Sequence, residues 1–319
     1  MTNKPIHWQP SASFETLRQR AETLALLRQF FTGRGYLEVE TPIMGRYGIT
    51  DVYLSNITAT FRGEAFALQT SPEYPMKRLL AAGSGPIFQL ARVFRDDELG
   101  RWHNPEFTLL EWYQPGIDHH ELMREVDLLL QLILGCPAIV KCTYQDTFLQ
   151  HVNIDPMTAT VAQLQKIVKS YELDYVLPED ETDIDQYLFL LMSHVIEPAL
   201  AKKNYPVAIY NFPPSQAALA KITNGFAERF EIYYQGIELA NGFHELTDSE
   251  IQRQRLEKDQ AMRKEKNLPI PAIDPFFLAA LDHGLPICSG VALGIDRLLA
   301  LRFNKESIDE ILAFNFSII

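Results

Sequence analysis

Phe14, Leu17, Ala21, Leu24, Leu27 and Phe31 recur at helical spacing, with Arg18, Glu22 and Arg28 outside that set, and predict an amphipathic helix near the start of the chain. Ser11 or Ser13 can cap it, and Gly33 or Gly35 can end it. The period then shortens. Apolar segments bounded by turn residues predict strands over 36–39, 52–57, 64–68, 87–95 and 106–113. Helical patterns occupy 73–82, 119–134, 161–169, 184–201, 249–266 and 275–283. The acidic, proline-bearing stretch 174–185 reads as a connector from a small helical insertion back to the sheet, or as an ordinary surface loop.

With 319 residues, 47% of them hydrophobic and 22% charged, the chain has material for one large core. A net charge of -12 argues against an enzyme that grips a long stretch of nucleic acid through clustered Lys and Arg, and leaves a local basic patch open. Cys136, Cys142 and Cys288 cannot build a disulfide framework, and no CxxC or His/Cys run has zinc spacing. No signal-peptide pattern opens the sequence, and no stretch reaches the roughly 18 apolar residues of a membrane span. A soluble protein of the reducing cytoplasm is expected.

Candidate chemistry begins at 229–241, which reads as two strands joined by the two-residue turn Gln235-Gly236. That turn predicts Tyr234 facing Ile237, Tyr233 facing Glu238 and Glu231 facing Ala240. Phe230, Ile232, Tyr234, Ile237 and Leu239 then form the core face, while Glu231 and Glu238 become diagonal neighbours roughly 7–8 Å apart on the other. Two such carboxylates suit magnesium with a nucleotide; a solvated sheet face would use the same residues. Just beyond, Asn241-Gly242-Phe243-His244-Glu245 adds an amide, a flexible glycine and a third acid. Acids this close repel unless a cation offsets them, which favours a metal or an amine-bearing ligand.

A second hairpin runs from 89–95 through a polar loop into 105–113. Alternation places Phe107, Leu109, Glu111 and Tyr113 on one face, so Glu111 and Tyr113 can meet a cationic head group together. Arg95 ends the first strand, where a guanidinium can clamp phosphate or pair with Asp96 or Asp97. Near the C-terminus, 290–299 is a glycine-bearing apolar strand running straight into a helix, with Asp296 and Arg297 at the helix start. It is not a Walker loop, because GxxxxGK[ST] does not occur.

Three separated blocks resemble, in order, the signature motifs of class II aminoacyl-tRNA synthetases: the long helix with Gly35-Tyr36-Leu37-Glu38-Val39-Glu40-Thr41-Pro42, the stretch from Phe94-Arg95 through Glu106-Phe107, and Gly290 to Leu298. Thr70-Ser71-Pro72-Glu73, His103-Asn104-Pro105-Glu106-Phe107-Thr108 and the run from Glu238 to Leu246 closely resemble the lysyl-tRNA synthetase core, over about 14–304. A lysyl-tRNA synthetase carries an OB-fold ahead of motif 1, whereas motif 1 begins almost at the start of this chain. With the acidic balance, that points to the stand-alone lysyl-tRNA synthetase paralogues that attach β-lysine to elongation factor P. The runs 100–113 and 289–294 are similar to that family specifically.

The resemblance implies an α+β fold, the class II catalytic core with an antiparallel β-sheet flanked by helices. A single domain would span 1–319, with a helical insertion at about 145–205. Arg95 would bind the α-phosphate of ATP and Arg297 the γ-phosphate, with His103, Asn104, Leu239 and Gly294 also on the nucleotide. Glu231 and Glu238 would hold magnesium, Glu238 touching ATP as well. Ser71 and Glu73 would meet the near amine of the amino acid, and Glu111, Tyr113 and Glu245 its distal ammonium, with Pro72, Asn241 and Ala292 also around it. Pro42 would lie in a homodimer interface.

Two positions depart from the pattern. The motif 2 Arg-x-Glu reads Arg95-Asp96-Asp97-Glu98, leaving both Asp97 and Glu98 open as the adenine contact. The middle glycine of motif 3 is Ala292, whose methyl can shift substrate preference by roughly 1–3 kcal/mol and fits a relocated amine such as that of β-lysine. The implied reaction is ATP-dependent activation of (R)-β-lysine and transfer to a lysine ε-amine of elongation factor P. A truncated synthetase-like enzyme acting on RNA or a small amine, and a non-catalytic regulatory paralogue, are the alternatives. Retention of Arg95, Glu231, Glu238 and Arg297 weighs against the last.

Overall fold

The computed structural model describes residues 8–96 and 99–319, so Asp97 and Glu98, the two candidate adenine contacts, lie outside the described residues. The chain forms two compact units, one from the chain up to Gly116 with Thr247–Ile287 and Ala292–Ile319, the other from Ile117–Leu246 with Cys288–Val291. Helices and strands are mixed in both, which makes the fold α+β as expected.

In the first unit the helix Phe14–Thr32 starts at Ser13, whose hydroxyl accepts the Thr16 amide, and stops at Gly33. Strands β1 (Leu37–Glu38), β2 (Met44–Gly45), β3 (Thr58–Phe61), β4 (Glu64–Leu68), β5 (Ile87–Phe94) and β6 (Glu106–Pro115) follow. β1 lies parallel to β5, and β5 pairs antiparallel with β6 in unbroken register from Ile87↔Tyr113 to Phe94↔Glu106. Phe31 stacks on Phe88 at 4.8 Å and meets the buried Trp112 edge-on at 5.1 Å, which seats the helix on this hairpin. β2, β4 and β3 make a separate small sheet.

Two expectations change here. The strand expected at 52–57 is a turn, and pairing starts only at Thr58. The Asp51 carboxylate accepts the Tyr53 amide at 2.7 Å, a local bond that competes with a ladder, and the buried Arg263 caps the carbonyls of Asp51 and Leu54. The first helix buries Thr16, Thr23, Leu27, Phe30 and Phe31, while Phe14 and Ala21 are exposed. Its inner stripe is partly polar: Thr16 bonds Ser13, the Thr23 hydroxyl donates to the Gln19 carbonyl, and the half-buried Arg20 reaches Asp296 at 2.6 Å.

The second unit opens with helix His119–Leu134, whose Asp118 and Glu121 form a capping box and whose Gly135 stops it in the left-handed conformation. Strands β7 (Val140–Thr143), β8 (Val207–Phe212), β9 (Ile222–Thr223), β10 (Phe226–Tyr234) and β11 (Ile237–His244) lie in the order β11-β10-β8-β7, with β9 on β10. β12 (Cys288–Gly294) contributes its first four residues to this unit and its last three to the other. Between 144 and 200 the helices Tyr144–Val152, Val161–Ser170, Ile184–Leu191 and Glu197–Leu200, joined by irregular segments, pack through Phe148, Leu164, Leu191 and Ile196 on β8 and β10. The single helix expected at 184–201 is interrupted by a π turn at Met192–Ile196. Pro198 in the next turn has no N–H to return to the His194 carbonyl, so the regular ladder cannot close there.

Candidate active site

In the first unit β6 carries Glu111 and Tyr113 on one face, and Gln89 of β5 stands directly opposite Glu111. Glu111 is 2% exposed. One carboxyl oxygen accepts the Ser71 hydroxyl at 2.7 Å and the other the Tyr113 hydroxyl at 2.7 Å. Burial, then the nearby Glu73 charge, pushes its pKa up to about 7. Ser71 also accepts the Glu73 amide, starting helix Glu73–Ala81, and Glu73 pairs with Lys77 one turn on at 2.6 Å. Ser71, Glu73, Glu111 and Tyr113, expected together from the sequence, do lie together, and Lys77 and Gln89, which were not among the expected residues, join them. The i,i+4 spacing from Glu73 and the hairpin register were the signals for those two. Ala292, replacing the expected glycine, packs against Ala91, Val93 and Leu109 on the Glu111 side of the hairpin.

The phosphate candidates are held by their surroundings. Arg95 lies just past β5 rather than within it, its guanidinium 5.0 Å from the centre of the Phe107 ring. Arg297 donates Nε to the Trp102 carbonyl at 3.1 Å and sits 2.6 Å from the His103 ring nitrogen. Asn104 is buried, donating to the Glu106 carbonyl and accepting the Phe316 amide, so it braces the loop between β5 and β6. Gly294 is the N-cap of helix Ile295–Arg302. Asp296, one of the pair at that helix start, accepts Arg20 and the Thr108 amide, which makes it a brace.

In the second unit the turn Gln235-Gly236 has positive φ at both residues, 51° and 76°, the type I′ geometry that suits a tight hairpin. Tyr234 faces Ile237 and Tyr233 faces Glu238 as predicted, but Glu231 faces Asn241 and Ile232 faces Ala240. A bulge between Ile232 and Tyr233 leaves Leu239 as the extra residue and re-aims everything beyond it. Asn241, not Ala240, therefore joins Glu231 on the carboxylate face. The face is not a solvated one. Glu231 is buried, with one oxygen on Arg229 and the other accepting the Tyr233 hydroxyl at 2.6 Å. Burial, Glu231 and Glu238 raise the Tyr233 pKa, so this phenol stays a donor. Arg229 is the cation that offsets the clustered acids; its place two residues before Glu231 was the missed signal.

Glu231, Tyr233 and Glu238 line a cavity of about 390 Å³ with Tyr144, Gln216 and Met192. Asn241 Oδ1 is buried with no hydrogen-bond partner among the described residues. Two hard carboxylates and an orphaned amide oxygen on one face form an all-oxygen donor set that fits a hard divalent cation. Glu245 is buried beyond the end of β11, its amide bonded to the Cys288 carbonyl. Gly242 is required by packing, since a Cβ there would stand 2.4 Å from the Phe230 ring and 2.9 Å from Val291.

The family model of tRNA synthetases class II (D, K and N) matches residues 1–317. The chain is 51% identical over 317 residues to a protein of Pasteurella multocida named elongation factor P–(R)-beta-lysine ligase, covering 97% of both chains. Proteins of the same name from Hamiltonella defensa and Edwardsiella ictaluri are 51% and 50% identical, covering 98% and 97% of each chain. With its three motif blocks in order and this likeness end to end, the chain belongs to the class II tRNA synthetase family (D, K and N), among the elongation factor P–(R)-beta-lysine ligases.

Proposed function

We propose that this chain is an ATP-dependent ligase that activates (R)-β-lysine as an adenylate and transfers it to a lysine ε-amine of elongation factor P. The observation that carries the amino-acid half is Glu111, a buried carboxyl braced by Ser71 and Tyr113 and poised near neutrality. A substrate ammonium supplies the positive charge that stabilises its ionised form. Glu73 and Ser71 take the other amine, with Pro72, Asn241, Glu245 and Ala292 shaping the amino-acid site. The names of the relatives support the donor and the acceptor.

In the first step the β-lysine carboxylate attacks the α-phosphorus and pyrophosphate departs. In the second the acceptor amine attacks the acyl carbon, AMP departs, and the amine gives up a proton. Arg95 takes the α-phosphate and Arg297 the γ-phosphate, their guanidinium planes set by Phe107 and by His103 with Trp102. His103, Asn104, Leu239, Gly294 and one of Asp97 or Glu98 serve the nucleotide. Glu231 and Glu238 would hold magnesium, which when bound neutralises phosphate charge. Arg229 and Tyr233 orient Glu231 for that role.

The chain works as one catalytic domain in a cytoplasmic homodimer. Pro42 is exposed beside exposed Leu37, Ile43 and Met44, which supports a motif 1 interface, and three free cysteines support a reducing compartment. Among the described residues no helix is long and apolar enough to cross a membrane. ATP–pyrophosphate exchange with (R)-β-lysine tests activation, and the intact mass of elongation factor P after incubation tests transfer. A gain of one β-lysyl unit is expected. Active exchange with an unmodified factor and a labelled RNA would favour the truncated-synthetase reading, and absent exchange the regulatory one.

A further inference from the structure

The opposite face of β10 and β11 carries a second cluster with different chemistry. Register places Arg229 opposite Phe243, so the neighbouring pair Glu228 and His244 points away from the side that holds Glu231 and Asn241. His244 Nδ1 meets the Glu228 carboxylate directly, and both side chains are mostly buried. His119, the first residue of helix His119–Leu134, completes the group, with one ligand atom from each residue within 4.8 Å of the others. His119 is 5% exposed, and neither of its ring nitrogens has a hydrogen-bond partner among the described residues.

An imidazole buried with both nitrogens unmet is costly, about 1–3 kcal/mol for each unsatisfied group. Burial also holds it neutral, its pKa pushed down to about 4, and a neutral imidazole is the form that ligates metals. The His119 ring lies 22° from the plane of the His244 ring with centres 6.5 Å apart, and His120 tilts against it at 4.2 Å. Two imidazoles and one carboxylate are a three-ligand set that matches zinc, with a fourth position for water. Magnesium prefers an all-oxygen shell and suits this set poorly.

We propose that His119, Glu228 and His244 bind one zinc ion that clamps the start of helix His119–Leu134 to β10 and β11, on the sheet face away from the Glu231 carboxylate. The positions 119, 228 and 244 are too scattered for any zinc-spacing motif to reveal them. Pairing of β10 with β11 and docking of the helix bring them together.

The test uses the full chain, stripped with a chelator and free of nucleotide. Titration with cobalt(II) should give the intense visible bands of a low-coordinate site, saturating at one ion per chain. Added zinc should abolish them, and added magnesium should not. Zinc should also raise the melting temperature of the wild-type protein. His119→Ala and His244→Ala should each lose the bands, and Glu228→Gln should weaken cobalt binding at least roughly tenfold, since it keeps the size of the side chain and removes its charge. Circular dichroism checks that each variant is folded. A cobalt spectrum no different from the free ion in wild-type protein would overturn the proposal, as would bands that survive both histidine substitutions. Should a histidine variant not fold, the wild-type titration and Glu228→Gln decide the matter.

Discussion

Arg20 closes on Asp296 at 2.6 Å although 276 positions separate them, and the same guanidinium donates to the Thr108 hydroxyl at 2.9 Å. Asp296 is 2% exposed and accepts the Thr108 amide as well, so the bridge ties the first helix to β6 and to the helix of the glycine-bearing end. Arg20→Ala leaves a buried carboxylate with its amide bond alone. A loss of about 3 kcal/mol is expected in chemical denaturation, and the double variant with Asp296→Asn should lose less than the sum of the singles.

Glu111 sets a pH dependence whose sign follows from its raised pKa. Its ordinary value is 4.5 and its folded value about 7, so between them the folded protein binds more protons than the unfolded one. Stability of the ligand-free protein should therefore fall as pH rises from about 4.5 to about 7 and then level off, as far as this group contributes. Bound ammonium favours the carboxylate, so the KM for β-lysine should rise as pH drops below about 7. Glu111→Gln should abolish that dependence and lower kcat/KM for β-lysine roughly 10- to 100-fold, the worth of a hydrogen bond to a charged group.

Ala292 packs beside Leu109 on the Glu111 side of the hairpin, and under the proposed function its methyl borders the amino-acid site. Ala292→Gly should admit α-lysine better, moving the ratio of exchange rates for the two lysines by tenfold to a couple of hundredfold. An unchanged ratio would remove Ala292 as the discriminating residue.

Gly242 has no room for a side chain, with Phe230 and Val291 both inside 3.0 Å of a built Cβ. Gly242→Ala should destabilise the protein by about 1–3 kcal/mol through overpacking, read as a lower urea midpoint at unchanged slope.

Much of the architecture was legible in local pattern. The strand Glu64–Leu68 and the helix His119–Leu134 lie where periodicity placed them, because turn residues and caps bound them on both sides. The turn Gln235-Gly236 was readable because few residue pairs tolerate positive φ twice. The strand expected at 52–57 failed because the Asp51 side chain supplies a nearer partner than a neighbouring strand does.

The sequence by itself determined the family, the order of the motif blocks and most of the charged residues proposed to act on ATP and β-lysine, because each block is a local run of types and spacings. Only the tertiary structure decided which partners those residues meet. The bulge at Leu239 put Asn241 rather than Ala240 beside Glu231, since one extra residue reverses the side to which every later side chain points. Packing also set Arg229 on Glu231, Arg20 on Asp296, and His119 against Glu228 and His244. Those pairings depend on distances in space that spacing along the chain does not encode.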